Sequence, residues 1–148
     1  MNLFKRNPTK QNIGIKGKLK LTGRDKDGNI KFVKEINNLI TNNGFDFICN
    51  VIGNPTQPNE ITHMAIGNGV AGEASATTLT SETQRKTVTY AHTTGSKTCT
   101  FTATFTNVVS ATEYGLLNNS TGGILLNTAG FSPITVDSLE IVATLTLS

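Results

Sequence analysis

Apolar and polar residues alternate through most of this chain. The clearest run is "TCTFTATFT", residues 98–106, with Cys99, Phe101, Ala103 and Phe105 on one side and Thr98, Thr100, Thr102, Thr104 and Thr106 on the other. A period of two sends them to opposite faces of a strand. The closing run repeats the code: Leu139, Ile141, Ala143, Leu145 and Leu147 alternate with Glu140, Val142, Thr144 and Thr146. The apolar sides of both can enter one core, where each buried Phe or Leu contributes roughly 1.5–3 kcal/mol. Threonine suits the other side. Its branched Cβ favours extended backbone, and its hydroxyl tolerates water or a neighbouring surface.

The same period runs through earlier segments. Ile13, Ile15, Leu19 and Leu21 alternate with Lys16, Lys18 and Lys20, a half-buried strand. Asp27-Gly28 supplies a turn, and Ile30, Phe32 and Ile36 give the returning strand of a first hairpin. "ITHMAI" is a short strand, followed by the glycine-rich and polar stretch "GNGVAGEASATTLTSE" and a strand "RKTVTYA". Gly95-Ser96 turns the chain into the threonine run. "TEYGLLN", the turn "STGG" and "ILLNTAGF" make another hairpin.

One segment changes period. Phe45, Ile48, Cys49 and Ile52 fall at i, i+3, i+4 and i+7, which marks the apolar face of a short helix over 43–53. Thr41, Asn42 or Asn43 can cap it, Gly53 can take the left-handed C-terminal position, and Pro55 prevents continuation. A helix of about three turns is unstable alone, so it must lie on a sheet. Seven or eight short strands and one helix predict a mainly β fold. The expectation is a single-domain antiparallel β-sandwich, jelly-roll or immunoglobulin-like, or an open barrel, over residues 13–148. Residues 1–12 are polar, basic and aperiodic, and read as an extended N-terminal arm.

Composition fits this picture. A chain of 148 residues suits one domain and can bury a core without metal or disulfide help. Only 36% of it is hydrophobic, which suits a shallow core with many turns. The net charge of +3 is modest but unevenly placed. Lys5, Arg6, Lys10, Lys16, Lys18, Lys20 and Arg24 all precede the first acid, Asp25. A basic front can meet nucleic acid, an anionic membrane or an acidic protein surface, although Lys16, Lys18 and Lys20 also fit a simple solvated face. Cys49 and Cys99 have no ligand spacing and fall on the apolar side of their patterns, so they read as small buried hydrophobes. The start, "MNLFKRNPTKQN", has no apolar core of a signal peptide, and no apolar run approaches the roughly 20 residues of a membrane helix.

No reactive constellation stands out. "GNGVAG", Gly67 to Gly72, matches G-x-G-x-x-G literally. A dinucleotide site also needs a helix opening at the motif and an acid about 20 residues on. Here "EASATTLTSET" has no helical stripe and "KTVTYAH" no acid, so the motif reads as a surface loop. His63 and His92 have no local carboxylate or ligand partner, and no G-x-S-x-G elbow exists. "DKDGN" has the start of a calcium loop, but the twelfth position from Asp25 is Ile36, which leaves a plain turn. The expectation is a protein that is not an enzyme and needs no cofactor or metal. With no tryptophan, and no aromatic in the arm beyond Phe4, nucleic acid is a poorer partner than protein.

In order, "IKGKLKLTGRDKDGNIKFVKEINNLITNNGFDFICNVIG", "ITHMAIGNG", "TTLTSETQRKTVT", "TFTATF" and "EYGLLNNSTGGILLNTAGFSPITV" resemble segments of small structural proteins of tailed bacteriophages and prophages. The shared features are a basic strand, a D-x-D-G turn, an N-L-[IV]-T-N-x-G step into a short helix, and a T-x-L-x-x-E-x-x-R segment. The resemblance covers about residues 13–148. It implies a virion accessory protein without catalysis, assembled in the host bacterial cytoplasm. Its leading form is a capsid decoration protein binding the major capsid protein or neighbouring virion proteins in many copies. The alternative is a receptor-binding module of a tail or head fibre. Gly67, Gly69, Glu82, Arg85, Gly115 and Gly123 would be turn and packing positions, with Glu82 and Arg85 a conceivable ion pair. The arm, with Lys5, Arg6 and Lys10, lies outside the shared pattern and would reach the shell.

Overall fold

The computed structural model describes residues 13–148. The arm, and with it Lys5, Arg6 and Lys10, lies outside the described residues.

Among the described residues, seven strands form one antiparallel sheet that does not close into a barrel. The first hairpin is β1 (Ile15–Arg24) and β2 (Ile30–Ile40), joined where Gly28 takes φ +83°. Asp25 closes that turn by accepting the backbone N–H groups of Asp27 (2.9 Å) and Asn29 (3.0 Å). These bonds, the Asn29 one foremost, hold its carboxyl below the usual aspartate range. The carboxylate is therefore hydrogen-bonded within its own turn.

Helix α1 (Asn42–Gly53) follows. Of the three candidate caps, Thr41 does the work: its hydroxyl accepts the Gly44 N–H at 2.9 Å and donates to the Leu125 carbonyl. The face that packs is only in part the one the spacing predicts: of Phe45, Ile48, Cys49 and Ile52, Ile48 packs partly buried against the core. Gly44 and Phe47 are buried, whereas Phe45, Cys49 and Ile52 are exposed. Gly44 decides this: a Cβ there would stand 2.1 Å from the Leu126 carbonyl oxygen, so the backbone at Gly44 lies against the sheet and turns Phe45 outward. Cys49 is thus not a buried hydrophobe, while Cys99 is half-buried and its thiol is pushed up by desolvation; both are free. Gly53 does not adopt the left-handed conformation. The helix ends through an extended Asn54 whose N–H bonds the Asn50 carbonyl at 3.0 Å.

After β3 (His63–Gly67), the segment read as one strand, "RKTVTYA", divides at Val88 into β4 (Glu82–Thr87) and β5 (Thr89–His92). The Val88 N–H bonds the Thr62 carbonyl, and the two pieces pair with different partners, β3 and β6. The predicted short strands of the second half are instead two long ones, β6 (Thr98–Leu117) and β7 (Leu125–Leu147). They form one continuous hairpin, paired from Thr98↔Thr146 to Leu117↔Leu125. Midway, Asn107 and Ser110 take φ of 51° and 50° and the register shifts between Val108 and Ala111. These bulges bend the ribbon. Its outer half pairs with β1 and β5; its turn-side half pairs with β3 and the end of β2.

The bend wraps the sheet around one core. Leu19, Leu21, Phe105, Leu139 and Ile141 from one half meet Met64, Ile66, Tyr114 and Leu116 from the other. The apolar sides of the threonine run and the closing run are neighbours on one ladder, Phe101↔Ala143 and Phe105↔Leu139, rather than facing layers.

Candidate interaction surface

The other face of the outer half carries the charge pattern. Residues directly paired across an antiparallel ladder share a face. The register therefore places Lys16, Lys18, Lys20 and Arg24 of β1 beside Thr146, Thr144, Val142 and Ser138 of β7, which stand beside Thr98, Thr100, Thr102 and Thr106 of β6. β5 adds Thr89 opposite Thr102, and β2 adds Glu35 opposite Lys20. A cationic row on β1, a mixed row on β7 with Thr144 and Thr146, the threonine row of β6 and an edge strand thus form one largely polar field. Along each strand successive members are about 6.7 Å apart, and rows lie about 4.8 Å apart.

Two acids interrupt the field. Glu35 pairs with Lys18 at 2.7 Å, both half exposed, and that hydrogen bond and charge hold the Glu35 carboxyl below the usual range. Glu140 stands between Thr22 and Thr104. Lys16 and Lys20 are exposed, as a solvated face requires. Because their stems rise from a ladder bonded on both sides, their spacing is fixed by backbone pairing.

The glycine loop does different work. Glu113, fully buried on β6, accepts the backbone N–H groups of Ser81 (2.6 Å), Thr80 (2.9 Å) and Gly69 (3.2 Å). Cβ atoms at Gly67 and Gly69 would stand 2.5 and 2.9 Å from its Oε1. "GNGVAG" therefore contributes one amide, Gly69, and two close-approach glycines to a cradle for a carboxylate of the same chain that Thr80 and Ser81 complete, and no helix opens there. Nothing in the local sequence pairs Glu113 with that loop; the only cue is an acid at an apolar-side position of a strand.

Glu82 and Arg85 do pair, at 2.6 Å, with the Arg85 side chain 13% exposed. Arg85 also donates to the carbonyls of Asn119 (2.8 Å) and Gly122 (2.9 Å), so it clamps the turn between β6 and β7. Gly123 closes that turn at φ +83°, and Gly115 packs against Leu79 and Leu125.

No family model, curated protein or solved structure matches this chain.

The histidines stay apart from each other. His63 Nδ1 lies 2.8 Å from the Thr62 hydroxyl, and His92 Nδ1 2.8 Å from the Thr98 carbonyl oxygen. Among the described residues, no group of three or more His, Cys, Asp and Glu side chains is placed to hold a metal. Tyr114 is fully buried. Burial pushes its hydroxyl well above the usual tyrosine range, against the Asn38 and Asn127 amides beside it. None of these polar atoms meets hydrogen-bond geometry. No described helix is long and apolar enough to cross a membrane.

Proposed function

We propose that this protein is an accessory structural subunit of a tailed-phage particle, bound in many copies to the capsid shell. The observation that carries the reading is the polar field of the outer sheet face, with Lys16, Lys18, Lys20 and Arg24 in one row, Thr144 and Thr146 of β7 beside it, and the threonine row of β6 next. Such a face suits a broad, shallow contact with an acidic protein surface. Each contact can be weak, because a symmetric shell multiplies it. The threonine hydroxyls add hydrogen bonds in both directions. Lys5, Arg6 and Lys10 precede the domain in sequence and carry charge of the same sign. The ordered resemblance to small virion proteins supports the same assignment.

The test is binding of the purified protein to shells that lack it, across salt concentrations. Alanine at Lys5, Arg6 and Lys10 together, or glutamate at Lys16 and Lys20 together, is expected to lower occupancy at low salt and flatten its salt dependence, because the screened attraction is what these variants remove. Unchanged occupancy in both variants rejects the reading. Adsorption of the isolated protein to host cells, without shell binding, would instead favour a receptor-binding fibre module.

A further inference from the structure

Helix α1 lies at the end of the sandwich where the described chain begins and ends, and it leaves a groove on each side. One, about 500 Å³, is lined by β1, β2 and Phe45. The other, about 650 Å³, lies between α1 and β5. Its walls are Phe47, Val51, Ile61, Tyr90, Cys99 and Phe101, with Glu60 as its one acid. Tyr90 and Val51 are half exposed there, and Tyr90 leans on Phe101 with ring centres 5.3 Å apart. Beside the groove, β5 pairs only with β6, so among the described residues its other edge keeps free backbone donors and acceptors. An apolar groove next to an open strand edge fits an added peptide: its backbone bonds the edge and its side chains enter the groove.

We propose that this groove receives the N-terminal segment of a second copy of the chain, with Leu3 and Phe4 against Tyr90 and Val51 and the segment's backbone along β5. The segment's chemistry matches. Its large apolar residues are Met1, Leu3 and Phe4, and Lys5 and Arg6 follow at once, complementing Glu60.

Its length also suffices. Nine residue steps separate Phe4 from Ile13, which span up to about 30 Å when extended. The point of departure favours a neighbour over the same chain. Gly14 and Ser148 exchange backbone hydrogen bonds of 2.7 and 2.9 Å, so the chain leaves along β1, off the end of the sheet. Its own β5 lies beyond β7 and β6. Lying along its own β5 would require the chain to turn back and cross the ends of β7 and β6, roughly 15 Å of its reach; a neighbour's groove imposes no such reversal. Exchange of an identical element between copies needs no new interface chemistry. The inference stands on these surfaces alone and does not depend on a capsid partner.

The test uses the full-length chain. Light scattering over a concentration series is expected to show self-association that weakens at least tenfold in both Phe4→Asp and Val51→Asp, with β-sheet circular dichroism unchanged. A disulfide test fixes the geometry. Phe4→Cys in a Cys49→Ser, Cys99→Ser background is mixed with a Cys49→Ser chain that keeps Cys99, and the mixture is oxidised. A covalent heterodimer on a non-reducing gel supports the exchange. A wild-type chain that stays monomeric throughout, self-association insensitive to either Asp variant, or a crosslink formed only within one chain when Phe4→Cys and Cys99 share a molecule each overturns it.

Discussion

Ser81 donates its backbone N–H to the Glu113 carboxylate at 2.6 Å across 32 residues of sequence. Thr80 and Gly69 donate to the same group. One side chain of β6 thus fixes both ends of the loop from Gly67 to Ser81. Glu113→Ala should leave three amides without their partner, and a buried unpaired donor costs about 1–3 kcal/mol. The expected loss is about 3 kcal/mol or more in urea unfolding. Glu113→Gln keeps one acceptor oxygen and should fall between. Gly67→Ala should be comparably damaging, since its Cβ would stand 2.2 Å from the Ser81 carbonyl oxygen. An Ala variant at Glu113 as stable as wild type would show that the loop is held elsewhere.

Arg85 links the chain's two longest strands through their turn. Its guanidinium bonds Glu82 on one side and two turn carbonyls on the other. A lysine has no planar fork and cannot reach both sets. Arg85→Lys should therefore cost nearly as much as Arg85→Ala, about 1.5–3 kcal/mol for hydrogen bonds to a charged group. Amide exchange at residues 119–123 should rise in both variants. Exchange that rises only in the alanine variant would show that charge, not the fork, closes the turn.

Much of this was legible in the sequence, and the physical reason differs by element. Period-two runs placed Leu19, Leu21, Phe101, Phe105, Leu139 and Ile141 in the core because a one-residue slip would expose them all. Glycine turns at 28 and 95 were legible because positive φ is local chemistry. The continuity of β6 and β7 was not. Asn107 and Ser110 interrupt the alternation and look like strand ends, but the long hairpin absorbs them as bulges. The buried side of α1 was hidden by Gly44, whose role is to lack a side chain where the helix meets Leu126. The Glu113 cradle joins residues distant in sequence, and no local pattern encodes that. The lysine and threonine rows were legible singly, while their union on one face follows only from the register.

Thr41 caps α1 and ties it to the sheet at once. It is fully buried, accepts the Gly44 N–H, and donates to the Leu125 carbonyl. Thr41→Ala removes both links and should cost about 1–2 kcal/mol, the usual range for a lost cap. Thr41→Ser keeps the hydroxyl and should recover most of it. Because α1 has no acidic residue in its first turn to compensate, helix amides near Phe45 should exchange faster in the alanine variant. Equal stability of Thr41→Ala and wild type would mean that packing of Phe47 alone holds the helix.

Stability should fall at both ends of the pH scale, for opposite reasons. The Asp25 and Glu35 carboxyls are held below their ordinary values, Asp25 chiefly by the Asn29 N–H and Glu35 chiefly by Lys18. A depressed folded pKa contributes stability that is present above the unfolded value, about 4 for these groups, and is lost as pH falls through the folded value. Tyr114 shows the reverse. Burial raises its folded pKa, so its contribution is complete below an unfolded value of about 10 and is lost as pH rises from there. Denaturation midpoints measured from pH 6 down to 2 should drop less steeply in Asp25→Asn than in wild type, the two curves converging at the acid end. Measured from pH 9 up to 12, Tyr114→Phe should hold its midpoint where wild type declines. Parallel acid curves for wild type and Asp25→Asn would mean that the Asn29 and Asp27 bonds persist in the unfolded chain. An alkaline decline shared by Tyr114→Phe would assign that limb to another group.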